Sequence, residues 1–326
     1  MVHEVYLEKG IAYYHTRDYE KAIECYEKAI ELKPDFAEVY TNMGHAYREK
    51  GSLDIAITCY EKAVELKPDS AAYINMGSAY QEKGSLDIAM KCYEKAIELK
   101  PDDDVNVYFY NLGLAYGNKG CLDIAITCYE KAIELRLDNA EAYTNMGNAY
   151  RKKGSSDIAM KCYEKAIELK PDLAEAYTNM GITYGEKGSF DVAIKYYEKA
   201  IKLKPDLVAA YCEMGNAYGE KGSFDIAIAC YEKAIELKPD FATAYLNMGL
   251  VYYKKGRSDK EIKCYEKAIE LKPDFVQAYC EMGNAYYDKG NYDEAIKYYK
   301  KAIELKPDFV MAHEHMRLAH KQLHGK

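Results

Sequence analysis

The sequence predicts an all-α solenoid, in which short helix pairs stack one after another along the chain. Three observations predict it: a skeleton of residues returns about every 34 residues, its apolar positions have helical spacing, and turn residues separate the helices. We expect a single domain over residues 1–326. The nine predicted repeats are residues 3–36, 37–70, 71–103, 106–139, 140–173, 174–207, 208–241, 242–275 and 276–309, followed by a capping helix at 310–323.

The first helix of each pair is predicted from residues 140–173, taken as the reference repeat with positions 1 to 34. Tyr143, Met146, Gly147 and Tyr150 occupy positions 4, 7, 8 and 11, which is the spacing of one helix face. We expect this face to pack against the rest of the solenoid.

The second helix and the turn before it follow from the next residues. Ala159, Tyr163 and Ala166 stand at positions 20, 24 and 27, again with helical spacing. Lys153 and Gly154 end the first helix, because glycine adopts the left-handed turn and a cation suits the negative helix end.

The junction between repeats carries a stop signal and a start signal. Pro171 ends the second helix, because the residue before a proline avoids helical geometry. Asp172 and Glu175 resemble a capping box, so Asp172 is predicted to cap the next helix.

Small residues predict where helices meet. Gly147 and Ala159 are expected at the crossing of the two helices of a repeat, and Ala166 at the contact with the next repeat. Tyrosines fill the space between them. Because no repeat can bury this face alone, stacking of neighbours must supply the stability.

Four departures from the skeleton are expected to have structural consequences. The third repeat lacks one residue before Tyr73, two residues are added around Asp104, and Leu137 replaces a proline. The junctions around residues 70–105 are either a hinge or a neutral variation in a turn. Glu261 replaces Ala at position 20, where a buried unpaired carboxylate is costly, so we expect a rotated helix or a loosened repeat.

Both ends of the chain carry polar residues in the packing face. Lys9 stands at position 7 of the first repeat, and Arg317 stands in the last segment where the repeats have Gly. A polar helix covers the open end of a solenoid. We therefore expect a complete chain that is capped at both ends.

Composition and charge exclude several function classes. The formal net charge of -8 disfavours nucleic acid and anionic lipid as partners, and no apolar run approaches the length of a membrane span. The N-terminal residues lack a signal peptide pattern. Seven of the ten cysteines occupy one slot of the repeat, too far apart for disulfides, which predicts a reduced, cytoplasmic protein: Cys25, Cys59, Cys92, Cys128, Cys162, Cys230 and Cys264.

A known repeat family has a similar skeleton. Tyr143-x2-Met146-Gly147-x2-Tyr150, followed by Ala159-x3-Tyr163 and Pro171, resembles the tetratricopeptide repeat (TPR), with Tyr in place of the usual Trp at position 4. The resemblance covers residues 3–309. It implies a right-handed superhelix in which the first helices line a concave groove and the second helices lie outside. It also implies a role in protein–protein interaction and not in catalysis.

Position 6 of the first helices is predicted to line a peptide-binding groove. From the second repeat to the ninth, six of eight carry Asn there, although Asn has no propensity advantage inside a helix. A side-chain amide can donate to and accept from an extended peptide backbone. The pattern resembles the asparagine ladder in the TPR arm of O-GlcNAc transferases, although no glycosyltransferase domain follows.

The candidate groove residues are Asn42, Asn75, Asn111, Asn145, Asn179 and Asn247, with Glu213 and Glu281 at the same position of two repeats and Asn148, Asn216 and Asn284 at position 9. Copying of duplicated repeats is the alternative explanation of the shared asparagines.

From the second repeat to the ninth, the predicted groove positions 2, 5, 6, 9, 12 and 13 carry ten acids and four bases. This acidic excess favours a basic or neutral extended segment, unless it is only the solvated face of an acidic protein. Tyr110, Tyr253 and Tyr287 are expected to add aromatic contacts.

A second hypothesis is a self-assembling scaffold, and hence a homo-oligomer, that uses the outer face of the second helices. Position 23 would present a column of Cys162, Tyr196, Cys230 and Tyr298 to another copy, unless these side chains serve packing.

The sequence predicts a protein that is not an enzyme, without cofactor, catalytic residue or metal. Phosphate-binding loops are missing, and the segment His313–Arg317 fails the HExxH motif because its fifth residue is Arg. His320 and His324 have ligand spacing, but two histidines in a capping helix are weak evidence for a metal.

Overall fold

The computed structural model describes residues 2–100, 105–136 and 138–324. Within them it contains nineteen α-helices and no strand, arranged as nine consecutive pairs followed by α19 (Val310–His324). The all-α repeat architecture predicted from the sequence is confirmed. In this part of the chain, every helix is too short or too polar to cross a membrane.

The chain divides into two compact units, residues 1–169 and 170–326. The first unit pairs α1 (Val2–His15) with α2 (Tyr19–Leu32), α3 (Ala37–Glu49) with α4 (Leu53–Leu66), α5 (Ser70–Glu82) with α6 (Leu86–Leu99), α7 (Asn106–Asn118) with α8 (Leu122–Leu135), and α9 (Ala140–Lys152) with α10 (Ser156–Leu169). The second unit pairs α11 (Ala174–Glu186) with α12 (Phe190–Leu203), α13 (Val208–Glu220) with α14 (Phe224–Leu237), α15 (Ala242–Lys254) with α16 (Ser258–Leu271), and α17 (Val276–Asp288) with α18 (Tyr292–Leu305).

The boundary between the compact units follows α10 and lies away from the irregular junctions around residues 70–105. Of the residues that mark those irregularities, Asp104 and Leu137 lie outside the described residues.

A left-handed residue separates the two helices of each pair. In the reference repeat, α9 ends before Gly154, whose φ of +81° is unfavourable for any residue with a Cβ. Arg17, with φ of 61°, takes this place in the first pair. The turn predicted from Lys153 and Gly154 is therefore present.

The first helices begin one residue later than a capping box requires. Leu173 occupies the N-cap position of α11 without a side-chain hydrogen bond, so the predicted cap at Asp172 is wrong. Before α5 the junction is one residue shorter, which moves Asp69 into the N-cap position, where it accepts from the Ala72 amide at 3.0 Å. The residue missing from the third repeat thus belongs to the turn, and α5 keeps 13 residues.

The two helices of a pair meet where a tyrosine ring covers a glycine. A Cβ on Gly147 would lie 2.5 Å from Cε1 of the buried Tyr163, so no side chain fits there. The sequence predicts Ala159 against Gly147, whereas the structure places the tyrosine ring there. The same contact recurs in all nine pairs, from Gly10 with Tyr26 to Gly283 with Tyr299.

Within each compact unit, alanines at positions 3 and 10 of first helices pack against the second helix of the preceding pair. Ala142 and Ala149 of α9 share a core with Ala132 of α8. In the second unit, Ala278 of α17 shares a core with Ala268 of α16. These two alanine positions are missing from the packing face predicted from positions 4, 7, 8 and 11.

Ion pairs also join neighbouring pairs of helices. The lysine before the turn glycine reaches back to an acid at the start of the preceding second helix, as in Lys83 with Asp54 at 2.6 Å and Lys289 with Asp259 at 2.9 Å. The equivalent pairs are Lys50 with Glu20, Lys153 with Asp123, Lys221 with Asp191, and Lys255 with Asp225. Because such pairs are exposed, each contributes at most about 1 kcal/mol.

Candidate binding faces of the first helices

Position 6 lies on the face of each first helix that the repeat packing leaves accessible. From the second repeat to the ninth, these side chains are half-buried in seven repeats, and Asn111 is exposed. We call them the position-6 rows: Asn42, Asn75, Asn111 and Asn145 in the first compact unit, and Asn179, Glu213, Asn247 and Glu281 in the second.

Three amides of the position-6 rows have no hydrogen-bond partner among the described residues, namely those of Asn42, Asn111 and Asn179. Each offers two N–H donors and one carbonyl oxygen. Asn42 also lines a surface groove of about 560 Å³ beside Glu38. These amides can bind an extended backbone without first breaking an internal contact.

The other asparagines of the rows hold internal hydrogen bonds. Asn145 donates through Nδ2 to the hydroxyl of Tyr110 at 2.9 Å. Asn75 hydrogen bonds to His45, whose pKa is lowered by burial. The Asn247 amide donates to Oδ1 of a position-9 asparagine, Asn216, at 3.0 Å. Tyr110, which was predicted to contact a bound segment, thus accepts a hydrogen bond from Asn145.

Asparagines at position 9 satisfy the buried tyrosines at position 24. The tyrosine hydroxyl donates to their Oδ1 atom: Tyr163 to Asn148 at 2.9 Å, Tyr231 to Asn216 at 2.7 Å, and Tyr299 to Asn284 at 2.8 Å. Because a buried hydroxyl without a partner is costly, this bond gives the three asparagines a structural role.

The two acids of the rows use the remaining donor of these asparagines. Asn216 donates through Nδ2 to Glu213 at 3.1 Å, and Asn284 donates in the same way to Glu281 at 3.0 Å. A bound peptide would therefore compete with internal partners for both Oδ1 and Nδ2 of Asn216 and Asn284.

Position 5 does not face the groove, contrary to the prediction. Its side chains are buried in the second half of the chain, as Cys212 and Cys280 illustrate, and the Thr144 hydroxyl donates to the Ala140 carbonyl at 2.9 Å. Position 5 lies three residues before the glycine of position 8, so it shares the face of the glycine–tyrosine contact.

Two internal ion pairs on these faces join acids and bases that the sequence count already includes, so the predicted acidic excess is unchanged. Glu82 pairs with Arg48 at 2.6 Å, and Glu220 pairs with Lys254 at 3.0 Å. These pairs engage two of the four bases counted from the sequence.

A cavity of about 280 Å³ lies beside α17 in the second compact unit. We call it the repeat-8 cavity. It is lined by Tyr253, Glu261, Tyr265, Glu281, Asn284, Ala285, Tyr287, Asp288, Tyr299, His315 and Leu318. Two members of the predicted groove set, Glu281 and Asn284, therefore face it.

Glu261 is buried in the wall of this cavity, with only 1% of its surface exposed. Its Oε2 atom has no partner among the described residues. Burial, with a further contribution from Asp288, raises the pKa of this carboxyl group. The predicted rotation of the helix to expose Glu261 is wrong, since α16 stays continuous and the carboxylate is accommodated at the cavity.

The position-23 column is packed inside the repeats and does not form an exposed surface. Cys162 and Cys230 are buried. Tyr196 stacks on Tyr184 with ring centroids 5.4 Å apart. The packing alternative for this column is therefore the one that the structure supports.

Among the described residues, no three His, Cys, Asp or Glu side chains are grouped as metal ligands. The rings of His320 and His324 stack on one another with centroids 6.1 Å apart.

Family models for this repeat match most of the chain. The TPR repeat model matches residues 10–47, 44–84, 119–154, 147–188, 183–222, 215–256 and 259–290, and two models of the tetratricopeptide repeat match 70–103, 276–309 and 243–274. The chain belongs to the tetratricopeptide repeat family. TPR repeats are protein–protein interaction modules, which agrees with the predicted role in protein–protein interaction. Among curated proteins, the comparison found no match.

Several solved structures are similar to this chain, and two of them share its fold with TM-scores of 0.60 and 0.63. The Cut9-Hcn1 hetero-tetramer of the APC/C is 15% identical with a TM-score of 0.60, over 97% of this chain and 76% of that one. A tetratricopeptide repeat protein from Parabacteroides merdae ATCC 43184 is 19% identical with a TM-score of 0.63, over 77% and 98%. MamA is 38% identical with a TM-score of 0.44, over 50% of this chain and 95% of that one.

Proposed function

We propose that this TPR protein is a non-catalytic adaptor that holds an extended segment of another protein along the accessible faces of its first helices. The observation that carries the proposal is the set of unpartnered amides of Asn42, Asn111 and Asn179 at one position of the repeat. An extended backbone presents alternating N–H and C=O groups, which such amides can bind without reading the sequence.

Aromatic and charged side chains favour a segment that is basic or neutral. Tyr253 is 53% exposed and offers a ring face to a bound chain. Glu213 and Glu281 replace asparagine in the second compact unit and add negative charge to the same position. Complementary charge mainly accelerates association and excludes acidic partners.

Self-assembly through the second helices has less support. The position-23 column on which that alternative depends is buried or stacked within its own repeat, as shown by Cys230 and Tyr196. The adaptor is therefore the function that we propose.

Selection from a random library of unstructured peptides tests the adaptor. The wild type and an Asn42/Asn111/Asn179→Ala variant are compared, and we expect enrichment by the wild type that the variant loses. Failure of both proteins to enrich any peptide would refute the proposal.

A matched control substitutes neutral polar residues on the second helices. Thr58 and Thr127 are exposed, and their hydroxyls bond only to their own helix backbone. A Thr58/Thr127→Ala variant should enrich the same peptides as the wild type, which separates loss of the binding face from general loss of stability.

A further inference from the structure

The eighth repeat departs from the others at Glu261, which lies in the wall of the repeat-8 cavity. Glu261 stands where the other repeats have Ala. Leu250 stands at position 9, where asparagines of three other repeats accept a hydrogen bond from the buried tyrosine. Without that acceptor, the Tyr265 hydroxyl has no partner among the described residues and lines the repeat-8 cavity.

The cavity wall has an excess of hydrogen-bond acceptors. Glu261, Glu281 and Asp288 line it, and no Lys or Arg does. Lys289 is close enough to affect Glu261, but its Nζ atom pairs with Asp259 at 2.9 Å.

Two buried polar atoms in the wall lack partners in the described part of the chain. They are Oε2 of Glu261 and Nδ1 of His315. Buried polar atoms are nearly always paired, so two orphans in one cavity indicate an absent polar partner. An ionised carboxylate accepts only, so the partner of Glu261 must be a hydrogen-bond donor, whereas a histidine ring nitrogen accepts or donates according to its tautomer.

Aromatic rings supply the rest of the wall. Tyr253 and Tyr287 lie at the accessible side, and the buried Tyr265 and Tyr299 lie deeper. Tyrosine ring faces attract organic cations, and an acidic group nearby adds to this attraction. The combination matches a basic side chain, whose aliphatic stem contacts rings and whose cationic head donates to carboxylates.

We propose that the repeat-8 cavity binds one lysine or arginine side chain of the segment held by the second compact unit. This inference rests on the proposed function, because it assigns the cation to that segment. It explains why one repeat keeps a buried carboxylate where its neighbours have Ala. A basic anchor residue would fix the register of an otherwise weakly specific segment.

Small amides that carry a single side chain test the cavity independently of the position-6 rows. The N-acetyl methylamides of lysine, arginine and norleucine are titrated by NMR into the full-length protein at pH 7.5 and low salt. We expect the lysine or arginine probe to shift signals of Tyr253 and His315 and to bind at least about tenfold more tightly than norleucine. Equal binding of all three, or of none, would overturn the proposal.

Two substitutions place the effect at Glu261. Glu261→Ala restores the residue of the other repeats, and Glu261→Gln keeps the shape while removing the charge, so at least one should fold. Both should lose the preference for the basic probes. Glu232→Ala, which removes an exposed acid from α14, should retain it. Retention of the preference in Glu261→Gln would contradict the assignment.

Separate outcomes distinguish a peptide side chain from a free amine as the bound cation, and test the cavity proposal and the adaptor proposal independently. Binding of spermidine without binding of the lysine or arginine probe would assign the cavity to free amines and overturn the proposal. If no amide probe binds but the peptide selection succeeds, the proposed side-chain site is refuted and the adaptor proposal stands. If a basic probe binds but the selection enriches no peptide, the cavity is a cation site and the adaptor proposal is refuted.

Discussion

At the scale of single residues, the contact between glycine at position 8 and tyrosine at position 24 sets how closely the two helices of a repeat approach. Gly181 illustrates it: a Cβ there would lie 2.5 Å from Cε1 of Tyr197. The skeleton predicts that a small residue is needed at position 8. It does not identify the partner, because both Ala and Tyr recur at fixed spacing in the second helix and only their side-chain directions distinguish them.

Two glycines of one helix should respond oppositely to alanine. Gly181→Ala should lower the free energy of unfolding by about 1–3 kcal/mol, since the backbone or the ring must move. Gly185→Ala should raise it by about 0.5–1 kcal/mol, because alanine favours the helix and the nearest atom is the Tyr197 hydroxyl oxygen at 3.7 Å. Urea unfolding of both variants is the measurement, and similar effects at the two sites would contradict this packing.

Removing the charge of Glu261 should stabilise the protein, and more so at high pH. Its pKa is raised by burial and by Asp288 and Glu281, while Lys289 opposes the shift. The folded state therefore favours the protonated form, so the wild type loses stability as the pH rises from the ordinary glutamate value through the raised one.

Urea unfolding of wild type and Glu261→Gln at pH 8 and pH 4 measures this effect. The variant should be more stable by about 1–3 kcal/mol at pH 8, and the difference should shrink at pH 4. An equal difference at both values would show that the carboxylate is not held in an unfavourable environment.

At the scale of the helices, a first helix packs against its own partner and, within one compact unit, against the second helix of the preceding pair. It therefore buries more than one stripe, and alanines such as Ala142 and Ala278 form the second contact. The conspicuous Tyr, Met and Gly residues predict one stripe and the helix itself. The alanine positions and the burial of position 5 are harder to predict, because a small residue in a helix also fits a solvent-facing position.

Neighbouring pairs should be coupled weakly by their ion pairs. Lys83→Met removes the partner of Asp54, which lies 2.6 Å away. We expect a loss of at most about 1 kcal/mol at low salt that falls toward zero in 1 M NaCl, because salt screens exposed pairs. Lys67→Met is the control, since Lys67 is exposed and has no ion-pair partner in the described ranges. A larger loss that salt does not reduce would indicate that the Lys83 stem contributes by packing.

At the scale of the whole molecule, the repeat of 34 residues is enough to predict the helix pairs and the family, whereas the binding residues are only partly predictable. Asn42 and Asn145 share one position and one residue type, but only Asn145 bonds to a tyrosine of the neighbouring repeat. That difference depends on Tyr110, an exceptional residue at position 5 of one repeat. The sequence therefore indicates the row, and the contacts decide which members are free.

The thiols should report the native fold as a whole. All ten cysteines are free; Cys121 is exposed, Cys25 is half-buried and the other eight are buried. Burial raises the pKa of Cys162 to about 11 and that of Cys212 to about 12, which suppresses the reactive thiolate. With a disulfide reagent at pH 8, Cys121 should react first, Cys25 more slowly, and the remainder only in denaturant. Rapid reaction of several thiols in the native protein would contradict the packing of the position-23 column.

The affinity of one library-selected peptide, measured by fluorescence anisotropy, shows whether the accessible faces of the first helices bind the segment. Each lost amide contact should cost about 0.5–1.5 kcal/mol, so the Asn42/Asn111/Asn179→Ala variant should bind at least about tenfold more weakly than wild type. The Thr58/Thr127→Ala control should bind as the wild type does. Equal affinity of wild type and the asparagine variant would contradict the claim that the accessible faces of the first helices are the binding surface.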